Sequence, residues 1–111
     1  MVLVVIESPY AGDVEKNIKY ARACLKDCLR RGESPIASHL LYTQEGVLDD
    51  NNPKERALGI KAGLDWLSVC NYQVFYLDHG WSKGMFYAYK FAGDRGISVE
   101  LRRIYCDECG L

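Results

Sequence analysis

Apolar residues fall into two rhythms along this chain, and the rhythms alternate. Val2-Leu3-Val4-Val5-Ile6 is an uninterrupted, β-branched-rich run of the kind that forms a strand covered on both faces. From Val14 the pattern changes. Val14, Ile18, Ala21, Leu25 and Cys28 recur at spacings of four and three with charges between them, which predicts an amphipathic helix capped by Asp13 and stopped by Gly32. Pro35-Ile36-Ala37-Ser38 reads as a short second strand running into His39-Leu40-Leu41-Tyr42, and residues 43–52 as a polar loop carrying Glu45, Asp49 and Asp50. Asn52-Pro53-Lys54-Glu55 opens a second helix, with an N-cap, a proline in first position and a glutamate three residues after the cap. Ala57, Ile60, Leu64 and Leu67 predict its buried stripe.

Tyr72-Gln73-Val74-Phe75-Tyr76-Leu77 is a third strand, ending at Asp78. Ser82 caps a third helix whose inner face is Met85, Ala88 and Ala92, with Gly93 or Gly96 as its end. Residues 97–105 form the fourth strand, with Val99, Leu101 and Ile104 its most apolar members. Strict alternation of strand and helix, joined by right-handed crossovers, gives an α/β fold with a parallel sheet between helix layers. The expected spatial order is 2-1-3-4, which places the switch point between strands 1 and 3. Residues 1–105 make one domain and residues 106–111 a C-terminal tail.

The loops that leave strands 1 and 3 carry the candidate chemistry. Ser8-Pro9-Tyr10-Ala11-Gly12-Asp13 and Asp78-His79-Gly80-Trp81-Ser82-Lys83-Gly84 each follow a strand and open onto a helix. On neighbouring parallel strands they share one edge, where backbone N–H groups and helix N-termini favour an anionic ligand. Ser8, Pro9, Tyr10 and Gly12 form the first wall. Gly80, Ser82 and Gly84 let the backbone approach a phosphate closely, and Trp81 can stack on a base or sugar. The GxxxxGK[ST] spacing of a P-loop is absent. His39, after strand 2, reaches for the same edge. Asp78 and His79 are adjacent, so they point to opposite faces and do not form a dyad. Each also has a plain structural reading: glycines as turns, Trp81 as a packing plug, His39 as a satisfied interior residue.

Composition narrows the partners. The chain has 111 residues, 49% of them apolar and 26% charged, with a net charge of −1, so it lacks the basic surface that polymer nucleic acid requires. No apolar run reaches the roughly 18–20 residues of a membrane span, and the apolar start meets Glu7 and Pro9 without a basic leader. The expected location is cytoplasmic. Five cysteines, an odd number, argue against a disulfide framework. Cys24 and Cys28 fall within the first helical pattern as small core residues, and Cys70 ends the second helix. The Cys106-Asp107-Glu108-Cys109 tail lacks the second cysteine or histidine pair of a zinc site. No metal and no cofactor are expected.

Four linked stretches carry a resemblance. They are Ser8-Pro9-Tyr10-Ala11-Gly12-Asp13-Val14-Glu15-Lys16-Asn17, Ala37-Ser38-His39-Leu40-Leu41-Tyr42, Glu55-Arg56-Ala57-Leu58-Gly59-Ile60, and Ser82-Lys83-Gly84-Met85 leading into Phe91-Ala92. Together, over about residues 3 to 104, they resemble the nucleoside 2-deoxyribosyltransferase-like superfamily, and within it a group of small, mostly uncharacterised bacterial and bacteriophage proteins. The resemblance implies a flavodoxin-like fold, a nucleoside or nucleotide at the C-terminal strand edge, and homo-oligomers whose neighbours complete the pocket. The candidate ligand contacts at that edge are Ser8, Pro9, Tyr10, Gly12, His39, Asp78, His79, Gly80, Trp81, Ser82, Gly84 and Met85.

The enzymes of that superfamily cleave an N-glycosidic bond with a glutamate on the helix after the Ser-x-Gly-Met turn. Here Phe86 stands where that glutamate follows in the enzymes, and Ala88 where the smaller proteins carry an acid. A second acid of the preceding helix falls at Gly63, with Asp65 nearby. A missing nucleophile is not replaced by binding energy elsewhere. The expectation is therefore a nucleotide-binding protein that holds, and sequesters, its ligand without cleaving it. The alternatives are a working N-glycosidase or deoxyribosyltransferase using Glu7, Asp78 or a partner's acid, and an oligomeric interaction module using the tyrosine-rich third helix.

Overall fold

The computed structural model describes residues 1–105. Four strands, β1 (Val2–Glu7), β2 (Glu33–Ile36), β3 (Tyr72–Tyr76) and β4 (Val99–Arg102), alternate with helices α1 (Val14–Arg30), α2 (Ser38–Leu41), α3 (Pro53–Leu67) and α4 (Lys83–Arg95). All three strand pairings are parallel and the order is β2-β1-β3-β4, as the alternating pattern predicts. β1 pairs with β2 on one side and with β3 on the other, so the order in which the chain lays down strands reverses between the two central strands. Their carboxyl ends therefore open onto a crevice. The Cys106 and Cys109 tail lies outside the described residues.

Strand alternation sorts the sheet into two faces. Val4, Ile6, Val74 and Tyr76 pack with Tyr20, Cys24 and Cys28 of α1 in one core cluster. Val5, Glu7, Gln73 and Phe75 consequently face the other way, where Trp81 and Tyr89 cover Phe75 with ring centroids at 5.5 and 5.6 Å. The buried side of α1 is Asn17, Tyr20, Ala21, Cys24 and Cys28, turned from the expected stripe because Tyr20 reaches under β3 while Val14 sits exposed at the first turn. Burial pushes the Cys24 and Cys28 thiols up, so both stay neutral as core residues.

Three further elements differ from expectation, each for a tertiary reason. β2 begins at Glu33 rather than Pro35, and Ser38–Leu41 coils into a helical turn instead of extending the strand. α3 buries neither Ala57 nor Ile60, the latter 53% exposed; Leu64 is half-buried and Leu67 buried. Its inward row is instead Gly59 and Gly63. A Cβ on Gly63 would stand 2.8 Å from Ser38 Oγ, and one on Gly59 would stand 3.2 Å from Leu48 Cδ1. The missing side chains let α2 and its following loop lie against the helix backbone. β4 is four residues long and turns Leu101 outward while burying Arg102.

Arg102 is buried because Glu33, across the sheet on β2, meets it. Two guanidinium nitrogens donate to the Glu33 carboxylate at 2.8 and 2.6 Å. Tyr72 donates its hydroxyl to the same carboxylate. The Arg102 hydrogen bonds come first among the causes that lower the Glu33 pKa to about 2. A bidentate, hydrogen-bonded geometry is what allows such a pair below the surface.

Candidate functional site

The first loop is fixed from behind by α1. Asn17, buried, donates both amide hydrogens, to Tyr10 O at 2.9 Å and to Ala11 O at 3.0 Å. Gly12 takes φ +98°, a left-handed conformation that side chains disfavour, and turns the chain into the helix. Asp13 then accepts from Lys16 N as the N-cap. These contacts hold the loop in shape, with the Tyr10 side chain half-buried and that of Ser8 buried.

Ser8 and His39 meet there. Ser8 Oγ lies 3.1 Å from His39 Nε2, and the Tyr10 ring stands edge-on to the imidazole at 6.0 Å. Burial lowers the His39 pKa to about 4, so the ring is neutral at physiological pH and acts as a hydrogen-bonding group rather than a cation. Tyr10, His39, Tyr42, Leu48, Arg56 and Ile60 line a cavity of about 100 Å³ between this pair and α3. A wider groove, of about 550 Å³, runs along α1 past Lys16, Lys19, Tyr20, His79 and Tyr105.

The second loop divides its residues between structure and surface. Asp78 Oδ1 accepts from the Tyr20 hydroxyl at 2.5 Å and from Ile104 N at 2.9 Å, and its Oδ2 accepts from Tyr105 N at 3.0 Å. Burial alone would raise its pKa, but these donors outweigh it and the net shift is downward. Asp78 thus ties β3, α1 and the end of β4 together. His79 packs its ring against Tyr20 at 4.3 Å, and Trp81 lies among Phe75, Phe86 and Tyr89. Gly80 adopts φ +78° in the turn. Ser82 Oγ accepts from Met85 N at 3.1 Å as the cap of α4, and Met85 is buried. Gly84 sits exposed in the first turn with open space around it.

Glu7, at the end of β1, has a partner that sequence reasoning missed. Gln73 Nε2 donates to Glu7 Oε2 at 2.9 Å. Gln73 is fully buried in the centre of β3, and its Oε1 has no hydrogen-bond partner among the described residues. Burial pushes the Glu7 carboxyl up to about 7, the Gln73 hydrogen bond opposing it. The one available signal was a polar residue inside an otherwise apolar and aromatic strand. Among the described residues no group of three or more His, Cys, Asp or Glu is placed to hold a metal ion, and no helix is long and apolar enough to cross a membrane.

A domain family of unknown function, DUF7768, matches residues 2–102. The chain belongs to the DUF7768 family. No curated protein matches the sequence. Among solved structures, the domain is similar to a 2-deoxyribosyltransferase from the psychrotolerant bacterium Bacillus psychrosaccharolyticus, with a TM-score of 0.65 at 16% identity. The likeness covers 91% of this chain and 72% of that one. At that identity the likeness concerns the fold: the DUF7768 domain shares the flavodoxin-like α/β arrangement.

Proposed function

We propose that this DUF7768 domain binds a nucleoside or nucleotide at the carboxyl edge of β1 and β3 and holds it without cleaving it. The observation that carries this reading is the absence of an acid from the first turns of α4; Glu7, whose carboxyl keeps an oxygen without a donor, is the acid through which the active alternative would run. The first turns of α4 carry Phe86, Tyr87 and Ala88, and the loop acid Asp78 spends both oxygens on Tyr20, Ile104 and Tyr105. A carboxylate committed in that way is a poor nucleophile toward an anomeric carbon, which needs an unencumbered oxygen a few ångströms away. What remains are groups suited to holding: Ser8, His39, Tyr10, the α4 cap at Ser82 and the open backbone at Gly84. In a bacterial cell, or in one infected by a bacteriophage, such a protein sequesters its nucleotide. Exposed Phe86, Tyr87 and Tyr89 on α4 and Leu58, Ile60 and Trp66 on α3 support self-association of the chain.

The test is a panel of nucleoside monophosphates followed in two ways, by thermal unfolding and by chromatography of the recovered ligand. A true ligand at one hundred times its Kd stabilises by about 2.7 kcal/mol, a rise in Tm on the order of 10 °C for a domain of this size, and is recovered intact. Release of free base would favour the active alternative with Glu7 or a partner's acid. A panel that leaves the Tm unmoved would reject nucleotide binding.

A further inference from the structure

The Glu7–Gln73 pair stands on the sheet face away from α1, at the strand edge where β1 and β3 end. The half-buried Glu7 presents its two carboxyl oxygens there, and Gln73 Nε2 is the one donor to them among the described residues. The buried Oε1 of Gln73 has no hydrogen-bond partner among those residues. Buried polar oxygens are ordinarily supplied with donors, and each one left without costs stability. The pair is therefore acceptor-rich and donor-poor. Burial and the Gln73 hydrogen bond are the two influences on the carboxyl, with no cation or second carboxylate contributing. Gln73 itself carries no charge.

A group that completes such a site brings hydrogen-bond donors. We propose that Glu7, positioned by Gln73, takes the hydroxyl groups of a ligand's ribosyl sugar. This rests on the nucleoside reading above and adds to it the class of sugar: a ribosyl with its vicinal hydroxyls, whose two donors match the two oxygens of one carboxylate. Donation by the hydroxyls favours the charged form of Glu7. The unliganded carboxyl is half protonated near pH 7, so binding releases a proton and strengthens as pH rises.

Ribose 5-phosphate tests this without knowledge of the base, with inorganic phosphate as the companion probe. Calorimetric titrations at pH 6 and pH 8 compare the wild-type chain with Glu7→Gln, which keeps the shape and removes the titration. Gln73→Leu removes the positioning amide. Ionisation of a group near pH 7 on binding makes wild-type affinity about tenfold higher at pH 8 than at pH 6, beyond whatever pH dependence the variant retains from the sugar phosphate itself. Both variants are expected to lose affinity for ribose 5-phosphate at least tenfold while binding inorganic phosphate as the wild type does, and 2-deoxyribose 5-phosphate is expected to bind more weakly. Equal ribose 5-phosphate affinity in wild type and Glu7→Gln overturns the sugar assignment and leaves nucleotide binding intact. If ribose 5-phosphate does not bind the wild-type chain while a nucleotide of the panel does, the sugar assignment falls alone; if neither binds, both readings fall.

Discussion

At the scale of single residues, the two carboxylates at the crevice have opposite fates. Asp78 is surrounded by donors and Glu7 by almost none. Asn at position 78 retains one carbonyl oxygen and turns an NH₂ toward backbone N–H groups, so Asp78→Asn is expected to cost about 2 kcal/mol. Urea denaturation of the purified variant reads that loss, and an unchanged midpoint would mean that the clamp contributes nothing. None of this division was legible in the sequence. Asp78 and Ile104 lie 26 positions apart and Glu7 and Gln73 lie 66 apart, so their pairing exists only once the sheet has formed. What the sequence did carry was the shared edge. Strand ends followed by glycine-bearing loops predict that shared edge, and the structure brings Ser8 and His39 together at it.

At the scale of elements, legibility followed hydrophobic contrast. The β-branched run of β1 and the four-and-three spacing within α1 are strong signals, and the alternation of strand with helix settles the parallel sheet. α3 misled because glycine adds nothing to an apolar stripe, yet Gly59 and Gly63 form its contact row. Leu at position 63 would force Ser38 and α2 away from the helix, and Gly63→Leu is expected to destabilise by about 2–3 kcal/mol despite its better helix propensity. β4 misled for a different reason, since an arginine is ordinarily exposed. Replacing Arg102 by Met leaves Glu33 buried and unpaired, at an expected cost of about 3–5 kcal/mol. Both variants are read by the same denaturation experiment. A loss below 1 kcal/mol for Arg102→Met would show that Glu33 finds water or another cation.

At the scale of the whole molecule, the outward residues of α3 and α4 carry the proposed self-association. Tyr87 is 79% exposed and Phe86 58% exposed, so these rings gain by finding a partner surface. The wild-type chain is expected to sediment as a homo-oligomer at micromolar concentration, and Tyr87→Glu to shift it toward the 12.6 kDa monomer. A wild-type chain that sediments as a monomer throughout would remove self-association from the picture. Acid stability follows from Glu33 in turn. Its carboxyl is lowered to about 2 from an ordinary value near 4.5, so the stabilisation is complete above the unfolded value and lost as pH falls through 2.

Glu7 and His39 have a joint consequence for the energetics of folding. The native histidine is neutral down to about pH 4 and the native glutamic acid is protonated up to about pH 7. In the unfolded chain both assignments reverse between roughly pH 4.5 and 6.5. Folding in that window sheds a proton from the imidazole and gains one on the carboxyl, so the two slopes cancel and stability stays level. Either substitution unmasks the other. Glu7→Gln is expected to gain stability with rising pH at about 1.4 kcal/mol per unit, and His39→Gln to lose it at the same rate. Denaturation midpoints at pH 4.8 and 6.2 read both slopes. Seen this way, the acid and the base have opposite protonic signs: each time the chain folds, one takes a proton from solvent and the other releases one to it.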